Sequence, residues 1–534
     1  MKTNLTESQK DYSVFLPSIS GFYATFIGKQ RYSEYVEQAR IPKGIGTVES
    51  LNFLNPNEGA FHYKWALYSA GHADLDVTKH VEKEDMCRNR DRDNSWLLGD
   101  SGGFQIAKGL WPGDWTSETC PHANKKRELV VNWMEAYMDY GMMLDIPTWT
   151  FQSPKAAEAA NIRSYDDAVK ATHINARYYM KHRRGNFKVL NVLQGSNHTN
   201  ADSWYEEFKG YCDPKQYPDT HFNGWAMGGQ NMCDVHLILR RLVHMIHDGL
   251  LEEGLHDVMH FLGTSKLEWA VLLTDIQRAV RKYHNPNFMI TYDCASPFLA
   301  TANGQIYHSI RTEHTGKWSY MMSASADALL YSTDTRKFSE AVVADKILPA
   351  FEDSPISETL QMKDICIYKE GDKNKVGAIK VKAGDVELDK EGNPVLDENG
   401  SPDKDDKDYN PNYGQPIIRK KDSTSWDSFS YALQMGHNVW MHIESTQRAN
   451  ELYDKGEYPY MMVYDKSNNY HVFREVVDEI FAQKDREKSL AVIDKYGTAT
   501  QHPSLWTHII GTRLKIGKKA LTAEAKFDEL FEVK

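Results

Sequence analysis

Short apolar runs, each ending in a polar or glycine-rich tip, recur between residues 96 and 294. WLLGDSGG spans 96–103, MMLDI 142–146, VLNVLQG 189–195, WAMGG 225–229, MHFLGTS 259–265 and FMITYDC 288–294. Runs of this length bounded by turn residues predict buried parallel strands. Stretches with helical spacing lie between them, at 201–210, 231–248 and 267–283. The tips at Asp100, Asp145, Gln194, Gly228, Gly263 and Asp293 are 30 to 49 residues apart, enough for one helix and two loops. Such alternation predicts a parallel α/β sheet. Polar residues gathered at the carboxyl ends of strands favour a closed TIM-type (β/α)8 barrel over an open sheet. The barrel domain is expected over residues 1–350.

The texture changes after residue 360. CIYKEGDKNKVGAIKVK at 366–382 alternates apolar and polar positions around a glycine-containing turn, which predicts a β-hairpin. Asp385 to Gly414 is dominated by Asp, Lys, Gly, Asn and Pro and cannot bury much, so 351–425 is read as a hairpin with a flexible charged insertion. Helical spacing resumes near Trp426, and 426–534 is expected to be a mainly helical region packed on the barrel.

With 13 Trp and 29 Tyr in 534 residues, the chain can build a large core, which excludes disorder along its length. Asp plus Glu (74) outnumber Lys plus Arg (63), for a net charge of −11, so a nucleic-acid partner has to meet a local basic patch. Basic runs occur at 181–188, 278–282 and 513–519; a charge run is most often a solvated face, and the sequence does not say whether these share a side. Six cysteines without a CxxC pair read as reduced thiols. No apolar run approaches the ~20 residues of a membrane span, and the start lacks the apolar segment of a secretion signal. A cytoplasmic protein with no membrane partner is expected.

GDSGG at 99–103 is also the nucleophile signature of chymotrypsin-like proteases, but that reading needs a His and an Asp converging on Ser101. His62, His72 and His80 have no matching context. A single Asp at a strand end is more often a turn former or a helix cap. Three on successive tips, Asp100, Asp145 and Asp293, point instead to carboxylate chemistry at an anomeric carbon, with one as nucleophile and one as general acid/base. The third can accept N–H groups of a planar heterocycle. His256 and His260 have the spacing of a helical zinc pair without a third ligand, and His437 with His442 is similarly weak.

GDSGGFQ at 99–105 resembles the signature of the tRNA-guanine transglycosylases, which exchange guanine for a 7-deazaguanine. LQG at 193–195, NGWAMGG at 223–229, HFLGTSK at 260–266 and YDCASPFLATANG at 292–304 resemble further motifs of that family, in its order. The resemblance covers about residues 50–320, with a weaker likeness of 436–454 to the helix that follows the family's zinc site. It implies a TIM barrel in which Asp293 is the nucleophile and Asp100 the general acid/base. It further implies that Asp145 reads the base edge, that Gln194 and the backbone N–H of Gly229 donate to the base carbonyl with Gly228 beside them in the substrate site, and that Phe104 and Leu262 sandwich the base. Ser101 and Gly263 fall beside the pocket.

The departures carry information too. The C-x-C-x2-C zinc ligands are missing and only His437 matches a ligand position, so no cofactor and no family-type zinc are expected. Where the family has an Arg-rich stretch that helps hold tRNA, this chain reads Phe298-Leu299-Ala300-Thr301-Ala302. The sequence is therefore more similar to the DNA-modifying branch, which inserts 7-deazaguanines such as 7-cyano-7-deazaguanine into bacterial or phage genomes as protection from restriction. The implied partners are DNA, with a guanine nucleotide flipped into the pocket, and a free 7-deazaguanine base, in the host cytoplasm if the chain is phage-encoded. A homo-oligomer is left open. The alternatives are the same chemistry on tRNA, and a catalytically idle subunit that binds nucleic acid.

Overall fold

The computed structural model describes residues 3–30, 36–78, 86–367, 424–466, 469–497, 505–506 and 509. Eight parallel strands follow one another around a barrel: β1 (Val14–Pro17), β2 (Trp65–Ser69), β3 (Trp96–Asp100), β4 (Tyr140–Met142), β5 (Lys188–Leu193), β6 (Gly224–Met227), β7 (Val258–Phe261) and β8 (Met289–Cys294). Each pairs with its neighbour in sequence, and β1 pairs with β8, setting Leu16 opposite Asp293. A bridge between Ser18 and Leu67, with the Ile19 N–H donating to Leu67 O at 2.9 Å, joins β1 to β2 and closes the ring. The expected (β/α)8 barrel is the observed fold.

The strands are apolar on both faces because one face fills the barrel and the other lies under helices; β5, for example, buries Val189 through Leu193. The helices start where side chains satisfy their free N–H groups. Ser164 caps Tyr165–His182, Asn197 caps His198–Phe208, Asp234 caps Val235–His247 and Asp427 caps Ser428–Asp454. The strand runs at 96–103, 189–195, 225–229, 259–265 and 288–294 coincide with β3 and β5 to β8. β4 ends at Met142, so Asp145 stands on the loop beyond it. β1 is not marked by a polar tip of the kind that reveals the others, and β2, whose run ends at Ser69 and Gly71, lies ahead of the first run in the series.

Barrel alternation stops at Cys294 and helix Ser296–Ala302. An antiparallel pair follows, β9 (Gln305–Arg311) with β10 (Ser319–Ala324). The outer layer is completed by the 27-residue helix Ser428–Asp454, which packs on β1, on helix Leu267–Tyr283 and on helix Gly21–Gln30. Helices Phe473–Phe481 and Arg486–Gly497 continue the expected helical C-terminal region. The hairpin expected at 366–382 falls almost wholly outside the described residues, as do the charged insertion at 385–414 and the basic run at 513–519. Among the described residues no helix is long and apolar enough to cross a membrane.

The other two basic runs are accounted for. Residues 181–188 lead into the start of β5, and 278–282 end the helix that precedes β8, so both lie at the end of the barrel opposite the strand tips. Their charges are largely engaged there. Arg278 bridges Asp11 and Asp454, Lys282 pairs with Asp478, and Arg183 donates to His221 O and Asn223 Oδ1.

Candidate active site

Three carboxylates meet at the carboxyl end of the barrel. Asp100 ends β3 and accepts a hydrogen bond from Ser69 Oγ at 2.6 Å, across the β2–β3 register. Burial pushes its pKa up, and the nearby Asp293 charge adds to the rise. Asp145 is buried and accepts from Gln194 Nε2 at 2.7 Å. Burial, reinforced by the charge of Asp100, drives its carboxyl up to about 7 despite the opposing Gln194 bond. Asp293, on β8, accepts from the Gly263 N–H at 2.9 Å and faces His260 Nε2 at 3.2 Å. Both contacts fall on Oδ1; among the described residues Oδ2 has no hydrogen-bond partner.

The loop carrying Asp145 is held from behind. Buried Arg127 donates to Asn175 Oδ1 at 2.6 Å, Asn175 Nδ2 donates to Leu144 O at 2.8 Å, and the Ile146 N–H donates to Thr172 Oγ1 at 3.0 Å. Gly228 and Gly229 allow the β5 and β6 tips to touch. A Cβ on Gly228 would lie 2.9 Å from Gln194 Nε2, and one on Gly229, whose φ is +53°, would lie 2.5 Å from Gly195 O. Any other residue there would push Gln194 off Asp145.

Phe104 opens the short helix Gly103–Ala107 and stands edge-to-face with Trp149, ring centroids 5.7 Å apart. Leu262 follows β7 and is, like Phe104, partly exposed. Ser101 is buried and donates to Met143 O at 3.4 Å; among the described residues no histidine is bonded to it. The protease constellation is therefore absent from these residues, and Ser101 ties the β3 tip to the Asp145 loop.

The two histidine pairs do not hold metal together. His256 precedes β7 and meets Cys212 O at 2.8 Å, whereas His260 lies within β7, so they do not share a helix face. His437 is buried and fully engaged: Nδ1 meets Ser354 Oγ at 2.9 Å and Nε2 meets Tyr307 O at 2.8 Å. Burial lowers its pKa to about 4, which keeps the ring neutral. With both nitrogens occupied and Cys366 Sγ donating to Ala326 O, these residues do not fit the family zinc. The same helix instead fastens the region after β8 by hydrogen bonds. Asn438 joins the Tyr307 N–H to Thr301 Oγ1, and Gln434 accepts from Ser325.

Two neighbours of the site, Ser69 and Trp149, were not singled out from the sequence, and His260 was considered there only as half of a zinc pair, not as a partner of Asp293. Beside the mouth, the loop after β2 and the start of helix Pro121–Tyr137 enclose a cavity of about 490 Å³. Its lining includes Trp111, Lys125 and Lys126 as well as Asp74, Asp76 and Glu128, with the Lys126 ammonium 4.5 Å from the Trp111 ring centre.

No family model matches the chain, and no curated protein matches it. One carboxylate has a free oxygen and an anchored one, a second has a raised pKa within electrostatic reach, and a third is paired with an amide. This set can perform nucleophilic displacement, acid/base catalysis and recognition of a polar planar group.

Proposed function

We propose that the chain is a DNA-guanine transglycosylase that exchanges guanine in DNA for a 7-deazaguanine. The observation that carries this reading is the anchoring of Asp293 Oδ1 by Gly263 and His260, with Oδ2 free and Asp100 close enough for their charges to interact. Oδ2 of Asp293 attacks C1′ of a flipped guanosine nucleotide, the C1′–N9 bond breaks, and a glycosyl ester forms. Asp100, whose raised pKa suits an acid, passes a proton to the departing base. N9 of the incoming deazapurine then attacks C1′, the ester bond breaks to restore the Asp293 carboxylate, and the N9 proton passes to Asp100. Two inversions retain the β configuration.

Asp145 accepts from N1–H and the exocyclic amine of the base, Gln194 and the Gly229 backbone face its carbonyl, and Phe104 and Leu262 cover its planes. Extruding the base costs a few kcal/mol. The basic runs at 181–188 and 278–282 face away from the mouth, so phosphate contacts fall to other groups on the mouth side, among them Lys126 and Lys125, the latter paired with Glu128 at 3.1 Å, a partner that a phosphate would have to replace. DNA is preferred over tRNA because the segment at 298–302, Arg-rich in the tRNA enzymes, is here an uncharged helix with Phe298, Ala300 and Thr301 buried.

The test is base exchange by purified protein with radiolabelled guanine, on duplex DNA and bulk tRNA in parallel. Label entering DNA alone, and lost in Asp293→Asn, is the expected result. Label in tRNA alone would keep the chemistry and overturn the substrate; label in neither would overturn the reading.

A further inference from the structure

A second cluster of chemistry-bearing side chains lies at the same end of the barrel, outside the three carboxylates. His198 is the first residue of the helix that follows β5, Asp234 caps the helix that follows β6, and His236 lies in that helix's first turn. One ligand atom from each lies within 4.8 Å of the other two. His198 Nε2 is 2.6 Å from Asp234 Oδ2, and the His198 and His236 ring centres are 5.7 Å apart. Nothing in the base-exchange chemistry uses these residues.

We propose that His198, Asp234 and His236 bind one zinc-class divalent transition-metal ion, which clamps the β5 loop to the β6 loop. Two imidazole nitrogens and one carboxylate oxygen suit such an ion and are poor donors for calcium or magnesium, which take oxygen ligands. Three protein ligands leave the fourth position to water. Tetrahedral ligand atoms about 2.0–2.1 Å from a metal stand roughly 3.3 Å apart, so the ion displaces the His198–Asp234 hydrogen bond by less than about 1 Å. His198 has room for that movement, since its side chain is 40% exposed.

The other two ligands are held more firmly. Asp234 Oδ1 accepts from the Leu237 N–H at 3.2 Å, and Oδ2 faces the histidine while accepting a longer bond, 3.3 Å, from Gln230 Nε2. His236 is flanked by the Trp506 ring, nearly parallel to it. The clamp joins the loops that carry Gln194 and Gly228–Gly229. Metal binding itself does not depend on the base-exchange reading, and its test does not use that activity.

The experiment uses the full, untagged chain stripped by chelator, then titrated with Co²⁺ while visible d–d absorption is followed, and with Zn²⁺ in equilibrium dialysis. The expected result is one equivalent bound, with d–d bands of a low-coordinate nitrogen/oxygen site. His198→Ala and His236→Ala each weaken binding by about 100-fold or more. Asp234→Asn, which keeps the helix cap, removes the charge and weakens binding as well. Circular dichroism and thermal melts of the metal-free variants confirm folding. No stoichiometric metal in the wild-type chain, or binding that survives His198→Ala and His236→Ala unchanged, would overturn the proposal and leave a His–Asp ion pair.

Discussion

His260 Nε2 lies 3.2 Å from Asp293 Oδ1, and the other nitrogen of the same ring meets Thr291 Oγ1 at 2.9 Å. His260 and Thr291 are register partners on the adjacent strands β7 and β8, so sheet geometry alone fixes the imidazole under the carboxylate. With the Gly263 N–H on the same oxygen, Asp293 is held in one rotamer with Oδ2 toward the mouth. His260 is thus a positioning residue. His260→Ala should lower kcat for base exchange by roughly 10- to 100-fold while leaving KM for the free base within about 3-fold. A KM effect without a kcat effect would contradict the assignment.

In the proposed reaction Asp145 imposes a pH dependence. Its carboxyl is pushed up to about 7, so below that pH it holds a proton and cannot accept from both N–H groups of the base edge. kcat/KM for the free base should fall as pH drops through about 7, approaching tenfold per pH unit further down. Asp145→Asn should lower kcat/KM and flatten this acid limb. An acid limb unchanged in the variant would assign the titration elsewhere.

Most of the barrel was legible because its strands are short apolar runs whose tips carry local motifs, and a tip such as Gly99-Asp100 is visible within a few residues. β1 was not: it is four residues long and runs into Pro17 and Ser18 with no local motif at its tip. Ser69, and the contact of His260 with Asp293, escaped for a different reason. Each acts across a strand pair, on Asp100 and Asp293 respectively, and a cross-strand partner is set by register, which one strand's sequence does not contain. Trp149 reaches Phe104 through tertiary packing alone. The hydrogen-bonded brace that stands in place of the zinc of the family the sequence resembles was not legible, because buried His437 and Asn438 look like ordinary polar residues on a helix.

That replacement can be tested through stability. His437 bonds Ser354 Oγ and Tyr307 O, and its ring stacks on Phe351 with centroids 4.8 Å apart. His437→Ala leaves a buried carbonyl without its partner and opens a cavity, which together cost about 2–4 kcal/mol. Urea unfolding should show a lowered midpoint with an unchanged slope. A midpoint equal to that of the wild type would show that the region after β8 is braced by something else.

The two ends of the barrel should respond differently to loss of charge. Lys125 and Lys126 stand on the side of the strand tips, whereas Lys181 and Arg184 stand on the opposite side. Replacing Lys125 and Lys126 with alanine should raise the apparent Kd for duplex DNA and reduce the slope of log K against log salt by about 1 to 2. Replacing Lys181 and Arg184 should change neither. The reverse pattern would place the polymer at the wrong end of the barrel for Asp293 to reach it.

The central claim is that Asp293 forms a covalent bond to C1′. The most direct measurement incubates the chain with guanine-containing duplex DNA in the absence of an acceptor base, denatures the mixture and maps any protein–DNA adduct by mass spectrometry. The expected result is a denaturant-resistant adduct on residue 293, discharged by adding a 7-deazaguanine before denaturation and absent from Asp293→Asn. An adduct mapped to another residue, or base exchange that persists in Asp293→Asn, would contradict it.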